Sequence, residues 1–266
     1  MAHFLRDQQI ENLSITEAHL IHLSDIFLDR AETLRALLRD ASQNDEVFVT
    51  YIIRFDNKGY RVFSITELLK YFRQAKSVER VLMTVESGQS LRSNRSIGTV
   101  MELRLDEKDP NSSYLSVTSD DKDWVDTSFC AVNESLAKYR NRNHWVRTAW
   151  TTFAVQLIGV TLGFILSLWA ATKIAPKLTI ENAFIFSFLF VLLIFSNIWT
   201  YLNQQIIRLM SNTFPNIKFL RVDKEKLHWL LQAVISGIAG AFVLYIIAQA
   251  ASFLVELLGN LISKSS

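Results

Sequence analysis

From Thr148 to Thr172 the chain reads TAWTTFAVQLIGVTLGFILSLWAAT, a run of 25 residues without a charged side chain. At about 1.5 Å of rise per residue, a helix of this length is longer than the ~30 Å hydrocarbon core of a bilayer. A second uncharged run extends from Asn182 to Gln205, and a third from His228 to the residue before Glu256. These runs predict three membrane spans, at 148–172, 182–204 and 228–250.

Basic residues in the short flanks of the predicted spans indicate their orientation. Counted in chain order, the four flanks contain 4, 2, 5 and 1 of them. They are Lys138, Arg140, Arg142 and Arg147; Lys173 and Lys177; Arg208, Lys218, Arg221, Lys224 and Lys226; and Lys264. The alternation predicts a multi-pass protein of the plasma or inner membrane, with a cytoplasmic N-terminal domain and the C-terminus outside.

The third apolar run is too long for one crossing, and two readings of its end stay open. In the first, residues 251–263 form an amphipathic helix on the outer surface, with leucines on one face and polar groups on the other. In the second, the helix continues, and a polar seam of Tyr245, Gln249, Glu256 and Asn260 faces a pore or partner helices.

Small side chains recur at four-residue spacing in two of the predicted spans. Span one contains Gly159, Gly163 and Ser167, and span three contains Ala233, Gly237 and Ala241. Helices associate in lipid by close backbone approach, which small residues allow. The stripes therefore indicate helix packing, either within one chain or in a homo-oligomer embedded in the lipid bilayer.

Residues 1–143 have a different composition, with 22 acidic and 19 basic groups against 4 and 9 in the remainder. This is the composition of a folded cytosolic domain, and no basic patch indicates nucleic-acid binding. The single cysteine, Cys130, excludes an intrachain disulfide. We therefore predict a cytosolic sensor or interaction domain at 1–143 and a helical transmembrane domain at 144–266.

Periodicity within 1–143 predicts an α+β fold. An amphipathic helix over 15–40 is followed by a hairpin at 47–63, a helix from a Ser64 cap, strands near 78–86, 99–106 and 113–118, and a helix capped by Ser119. The order α-ββ-α-βββ-α favours an antiparallel sheet of about five strands with helices on one face.

The connection between the two domains allows a mechanical hypothesis. Because neither Gly nor Pro occurs between Asn111 and Ile158, the last cytosolic helix could continue into span one. Such a rod would couple the domains through Arg140, Arg142, Trp145 and Arg147. The alternative is a break in the polar stretch Asn141–His144, where asparagine lowers helix propensity.

The loop from Gly88 to Ser96 is the best candidate for ligand binding. Arg92 and Arg95, with Ser93 between them, could clamp a phosphate or carboxylate, although a solvated connection explains the same sequence. No pattern of a zinc protease, calcium loop, nucleotide-binding loop or catalytic triad is present. We expect no metal, no cofactor and no enzymatic activity.

Together these features favour a non-enzymatic membrane protein whose cytosolic domain senses a small anionic ligand or a protein partner and controls an oligomerising three-helix domain. In layout the chain resembles bacterial membrane effectors of defence systems, in which a soluble sensor controls membrane integrity; no shared motif contributes to this resemblance. A membrane-anchored scaffold or adaptor, and an ion channel or transporter subunit, are the alternative hypotheses.

Overall fold

The computed structural model describes residues 4–40 and 45–220, and beyond them only residues 230, 233, 234, 237, 241, 245 and 252. The chain forms two compact units. The first contains residues 4–144 and also the segment that begins at Pro215, and the second contains residues 145–214 and the described positions from 230 to 252. The first unit is therefore built from two stretches of sequence that the second unit separates.

A six-stranded antiparallel sheet forms the centre of the first unit, with one strand more than the sequence predicted. The strands of the unit are β1 (Phe4–Gln9), β2 (Leu13–Ile15), β3 (Val47–Phe55), β4 (Lys58–Val62), β5 (Val78–Ser87), β6 (Val100–Asp106), β7 (Tyr114–Ser119) and β8 (Ile217–Phe219). The order in the main sheet is β1-β7-β6-β5-β3-β4. A separate parallel pair joins β2 to β8.

Helices pack against this sheet and enclose the hydrophobic core. They are α1 (Glu17–Asp40), α2 (Ile65–Gln74), the short α3 (Gly88–Arg92) and α4 (Lys122–Lys138). Alternate strand residues such as Tyr51, Met83 and Leu103 are buried with Phe27 of α1 and Val132 of α4. The apolar spacing in strands and helices thus places one face of the sheet under α1, α2 and α4.

Two capping predictions have different outcomes. Ser64 caps α2 as expected, since its hydroxyl accepts a hydrogen bond from the backbone N–H of Glu67. Ser119 does not cap α4: it ends β7, and its hydroxyl is 2.7 Å from that of Thr99. Asp121 caps α4 instead, accepting from the Trp124 N–H at 3.0 Å. A carboxylate suits the positive end of a helix dipole at least as well as a hydroxyl.

Two long apolar helices, α5 (Ala149–Ile174) and α6 (Ala183–Thr213), make up most of the described part of the second unit. Both are long and apolar enough to cross a membrane. Only 17% and 6% of their most apolar windows are buried within the structure. A core helix of a water-soluble protein would bury far more of such a surface, so these apolar side chains favour lipid as their surroundings.

Small residues of α5 pack against α6. Gly159, Gly163 and Ser167 are buried, and a Cβ atom added at either glycine would overlap an aromatic ring of α6. The ring is that of Trp199 at Gly159 and that of Phe195 at Gly163. The small residues of α5 therefore pack against another helix of the same chain. This is the first of the two alternatives that the sequence allowed, packing within one chain or in a homo-oligomer.

Most of the predicted third span lies outside the described residues. Ala233, Gly237, Ala241 and Tyr245 are described and helical. The segment 251–263 is described only at Ser252, and the seam residues Gln249, Glu256 and Asn260 also lie outside. Both readings of this region stay predictions.

The predicted continuous helix between the domains is wrong. Helix α4 ends at Lys138, with Tyr139 as its C-cap, and α5 begins only at Ala149, with Thr148 as its N-cap. A single 3₁₀ turn, Arg142–Trp145, lies between them. Asn141 explains the break, since its side-chain oxygen accepts from the Asn143 N–H at 3.0 Å and competes with helical bonding.

Candidate functional site: the junction sheet

Three segments of the first unit meet where the chain leaves it and returns to it. Strand β2 pairs with β8 through Leu13–Ile217, Ser14–Lys218 and Ile15–Phe219. On its other side, Leu13 forms an antiparallel bridge with Arg140. We call residues 10–16, 139–143 and 215–220 the junction sheet, because β2 lies between the outgoing and the returning chain.

Backbone hydrogen bonds hold the outgoing chain to the β2 segment. The Ser14 N–H donates to the Tyr139 carbonyl at 3.1 Å, and the Asn141 N–H donates to the Asn12 carbonyl at 2.7 Å. The Asn141 amide also donates to the Ser14 hydroxyl at 3.2 Å. The chain after α4 is therefore fixed along its length before it leaves the first unit.

Asn216 fixes the returning chain to the same segment and is only 4% exposed. Its side-chain oxygen accepts from the Asn12 N–H at 2.8 Å, and its amide donates to the Ile10 carbonyl at 3.3 Å. Its own carbonyl accepts from the Leu13 N–H at 2.9 Å. One asparagine thus satisfies backbone groups on two residues of the turn before β2 and one on β2 itself.

Asn143 joins the outgoing and returning chains directly. Its amide donates to the carbonyl of Pro215 at 3.0 Å, and the Asn143 residue is 7% exposed. The first unit ends at His144 in one direction and resumes at Pro215 in the other. The two covalent connections to the second unit therefore leave the first unit side by side.

The returning strand is also anchored in the hydrophobic core. Ile217 is fully buried, and the ring of Phe219 lies edge-on to that of Phe72, with centroids 6.3 Å apart. Lys218 forms an ion pair with Glu107 at 2.6 Å, and the second oxygen of Glu107 accepts from the Phe219 N–H at 3.2 Å. Pulling on β8 would therefore disturb the core of the first unit.

Tyr139, at the end of α4, connects the junction sheet to α1. Its ring stacks on His19 with centroids 3.8 Å apart, and its hydroxyl is 2.8 Å from Nδ1 of His22. His19 and His22 therefore hold the C-cap of α4 in place.

The coupling residues predicted from the sequence do not form one cluster. Arg140 and Arg142 belong to the first unit, whereas Trp145 and Arg147 belong to the second. Arg140 takes part through its backbone bridge to Leu13. In the second unit, Arg147 donates to the Phe214 carbonyl at 3.3 Å.

Sequence reasoning missed the asparagines that make the junction. Asn12 and Asn216 are unremarkable in the sequence, and Asn143 was considered only for its low helix propensity. Residues 215–220 were expected to lie in the loop between the second and third spans. The signal that could have located β8 is the alternation of Ile217, Lys218 and Phe219, which is typical of a half-buried strand.

The predicted ligand loop is held by internal ion pairs. Arg95 bonds to Glu86 at 3.1 Å and to Glu102 at 2.6 Å, whereas Arg92 bonds to Asp45 at 2.7 Å. The Ser93 hydroxyl donates to the Ile97 carbonyl at 2.9 Å. The arginines thus engage different carboxylates, and an anion would have to displace those carboxylates. Anion binding by Arg92, Ser93 and Arg95 stays a prediction.

Arg95 closes this loop over two acidic side chains of the sheet. Burial alone would lower its pKa, but the bonds to Glu86 and Glu102 raise the pKa above its ordinary value. Its backbone has a φ of 66°, in the left-handed region that costs a non-glycine residue free energy. The two ion pairs stabilise Arg95 in that conformation.

Two more buried carboxylates lie near the ends of β5 and β6. Hydrogen bonding to Lys108, at 2.6 Å, is the main cause that lowers the pKa of Glu79. Burial would raise the pKa of Asp106, but the Asp109 N–H and Arg80 outweigh it and hold the pKa below its ordinary value. Among the residues that the structure describes, no group of three side chains could hold a metal ion.

No family model matches this chain, and no curated protein or solved structure is significantly similar to it. Its function therefore has to be argued from the fold and the junction sheet.

Proposed function

We propose that this protein is a non-enzymatic integral membrane protein in which a cytosolic α+β domain senses a ligand or partner and acts on a helical membrane domain through the junction sheet. The observation that carries the proposal is the bond between Asn143 and Pro215, which holds both connections of the helical hairpin in one buried network of the first unit.

The path of the chain supports the proposed topology. The chain leaves the first unit after residue 144 and re-enters it at 215, with α5 and α6 between the two points. If both helices cross the bilayer, the N-terminal domain and the second loop lie on the same side. The basic flanks predict that side to be the cytoplasm.

Labelling with a membrane-impermeant maleimide tests this topology. Single cysteines at Phe63 and Lys177, in a Cys130→Ser background, report on the first unit and on the loop between α5 and α6. In intact cells we expect labelling at position 177 only, and at position 63 only after permeabilisation. Labelling of both positions from the same side would contradict a spanning hairpin.

The junction sheet supports coupling rather than simple tethering. A tether needs only a flexible linker, whereas here the segments on both sides of the hairpin are buried and hydrogen-bonded. A change in the packing of α1, α4 or β8 would therefore be transmitted to both connections.

Hydrogen exchange on the full-length protein in nanodiscs tests coupling without knowledge of the ligand. Arg95→Met perturbs the first unit far from the junction in sequence. If the two units are coupled, Arg95→Met should speed amide exchange at residues 145–152 and 207–214. Adding Asn216→Ala to that variant should remove the response. Unchanged exchange in the hairpin would favour an anchor.

A membrane-anchored adaptor is the second candidate, and the exposed edge of β1 favours it. Leu5 is 61% exposed, and β1 is the terminal strand of the sheet. An edge strand can accept a strand from a partner. Protection of residues 4–9 from exchange in a pull-down complex would support this function.

Homo-oligomerisation and a channel function stay proposals. The α5 stripe packs against α6, so an oligomer would have to use another surface. Particle classes of the full-length protein in nanodiscs give the copy number. A monomer would oppose the channel, because three helices are too few to enclose a wide pore.

A further inference from the structure

An open cavity of about 110 Å³ lies in the second unit, between the start of α5 and the end of α6. Its lining combines three apolar and three polar residues: Val146, Ile207 and Met210, and Arg147, Thr152 and Ser211. A cation and two hydroxyl groups next to aliphatic walls match the chemistry of a phospholipid, which joins a phosphate to a glycerol and acyl chains.

Arg147 provides the charge of this cavity. One N–H of its guanidinium donates to the Phe214 carbonyl at 3.3 Å. A guanidinium has several other N–H donors, in a planar arrangement that fits two phosphate oxygens. The bond to Phe214 thus orients the side chain without using up its capacity for an anion.

The surroundings of the cavity favour an anion at the depth of the lipid headgroups. Glu181, in the loop at the opposite ends of α5 and α6, is the only acidic residue in the sequence from 145 to 214. Trp145 and Trp150, close to Arg147 in sequence, are 73% and 78% exposed. Exposed tryptophans are typical of the boundary between water and hydrocarbon.

We propose that this cavity binds the phosphate of an anionic phospholipid from the leaflet that surrounds the start of α5 and the end of α6. Arg147 binds the phosphate, Thr152 and Ser211 donate hydroxyl hydrogen bonds, and the aliphatic walls contact the glycerol and the upper acyl chains. The assignment rests on the proposed membrane function. Since Arg147 also holds the residue before Pro215, the lipid is placed to influence the returning connection.

The test is lipid retention by the full-length protein. It is reconstituted with equal amounts of phosphatidylcholine and phosphatidylglycerol, extracted in mild detergent, and its bound lipid is measured by mass spectrometry. We expect phosphatidylglycerol to be enriched about tenfold, because the choline ammonium of phosphatidylcholine offsets the phosphate charge that Arg147 binds. Arg147→Gln should reduce the ratio to about one, and Arg147→Lys, which keeps the charge but not the planar pair of donors, should keep part of the enrichment.

Matched variants and a soluble competitor identify the ligand. Lys177→Gln removes a basic residue from the loop between the helices and should leave the enrichment unchanged. An equal loss in Lys177→Gln, or equal retention of both lipids by the wild type, would overturn the lipid site. Release of the lipid by millimolar glycerol phosphate would show a site for free phosphate instead, and would also overturn it.

Flotation with vesicles tests the membrane function separately from the lipid site. If the protein stays in solution without detergent and does not float with vesicles of either lipid, the membrane function itself is wrong. If it floats with both and retains both equally, only the lipid site is wrong. Thermal unfolding in detergent shows whether Arg147→Gln is folded. If it is not folded, the ratio of the two lipids retained by Arg147→Lys tests the site instead.

Discussion

The side-chain amide of Asn143 lies 3.0 Å from the carbonyl oxygen of Pro215, although 71 residues separate the two in the sequence. Both residues belong to the first unit, and the whole helical hairpin lies between them. This bond closes the base of the hairpin within the first unit. It is also the most direct target for a test of the junction.

Asn143→Asp should weaken the junction while keeping the shape of the side chain. A carboxylate cannot donate, so the buried Pro215 carbonyl loses its partner and faces a negative charge, at a cost of about 1–3 kcal/mol. Amide exchange at residues 216–220 should become about tenfold faster or more. Asn111→Ala, in an exposed turn, is the control. Equal exchange in both variants would show that the bond contributes nothing.

Gly163→Leu should separate α5 from α6. A side chain at this position meets the ring of Phe195, and overpacking of a tight interface typically costs about 1–3 kcal/mol. Val160 of the same helix is 66% exposed, so Val160→Leu adds volume without a clash. Thermal unfolding in detergent should distinguish them, with a lower midpoint for Gly163→Leu alone. Matching midpoints would mean that the glycine stripe does not pack the hairpin.

How far the sequence predicts this fold depends on the range of the interactions involved. Hydrophobic periodicity located α1 and five of the strands in the main sheet, and long uncharged runs located α5 and α6, because each of these patterns is local. The edge strand β1 was missed because four of its six residues, Arg6–Gln9, are polar or charged. An exposed edge does not need an alternating apolar face.

The junction sheet was the least predictable part of the molecule, because its contacts join segments that are distant in the sequence. Asn12, Asn143 and Asn216 act through contacts between distant segments, and an isolated asparagine carries no signal of its partner. Arg92 and Arg95 were visible as charges, but Asp45, Glu86 and Glu102, which neutralise them, come from other elements. The absence of Gly and Pro favoured a helix through residue 143, whereas local asparagine hydrogen bonds end it.

Arg95→Met should destabilise the first unit more than Arg92→Met. Removing Arg95 leaves Glu86 and Glu102 close together and poorly solvated, which we expect to cost about 1–2 kcal/mol, since the arginine itself is half-exposed. Arg92 pairs with Asp45 from a largely exposed position, so its loss should cost less than about 1 kcal/mol. Chemical unfolding of the full-length protein in detergent measures both. If phosphate stabilises the wild type but not Arg95→Met, the predicted anion site is supported.

Acid should destabilise the first unit because Glu79 and Asp106 have lowered pKa values. A carboxylate with a lower pKa in the folded state binds fewer protons there than in the unfolded chain. The stabilisation of the folded state by such a carboxylate is complete above the unfolded pKa of about 4. It is lost as the pH falls through the pKa of the folded state. We expect the unfolding midpoint to fall steeply below about pH 4.

Asp106→Asn separates this effect from general acid unfolding. The amide keeps the shape but cannot pair with Arg80 or ionise, so the variant should be less stable at neutral pH and lose less stability between about pH 5 and pH 3. Asn111→Ala, which changes no ionisable group, is the comparison, and its profile should follow that of the wild type. A wild-type slope in Asp106→Asn would mean that other carboxylates, with Glu79 first among them, determine the acid limit.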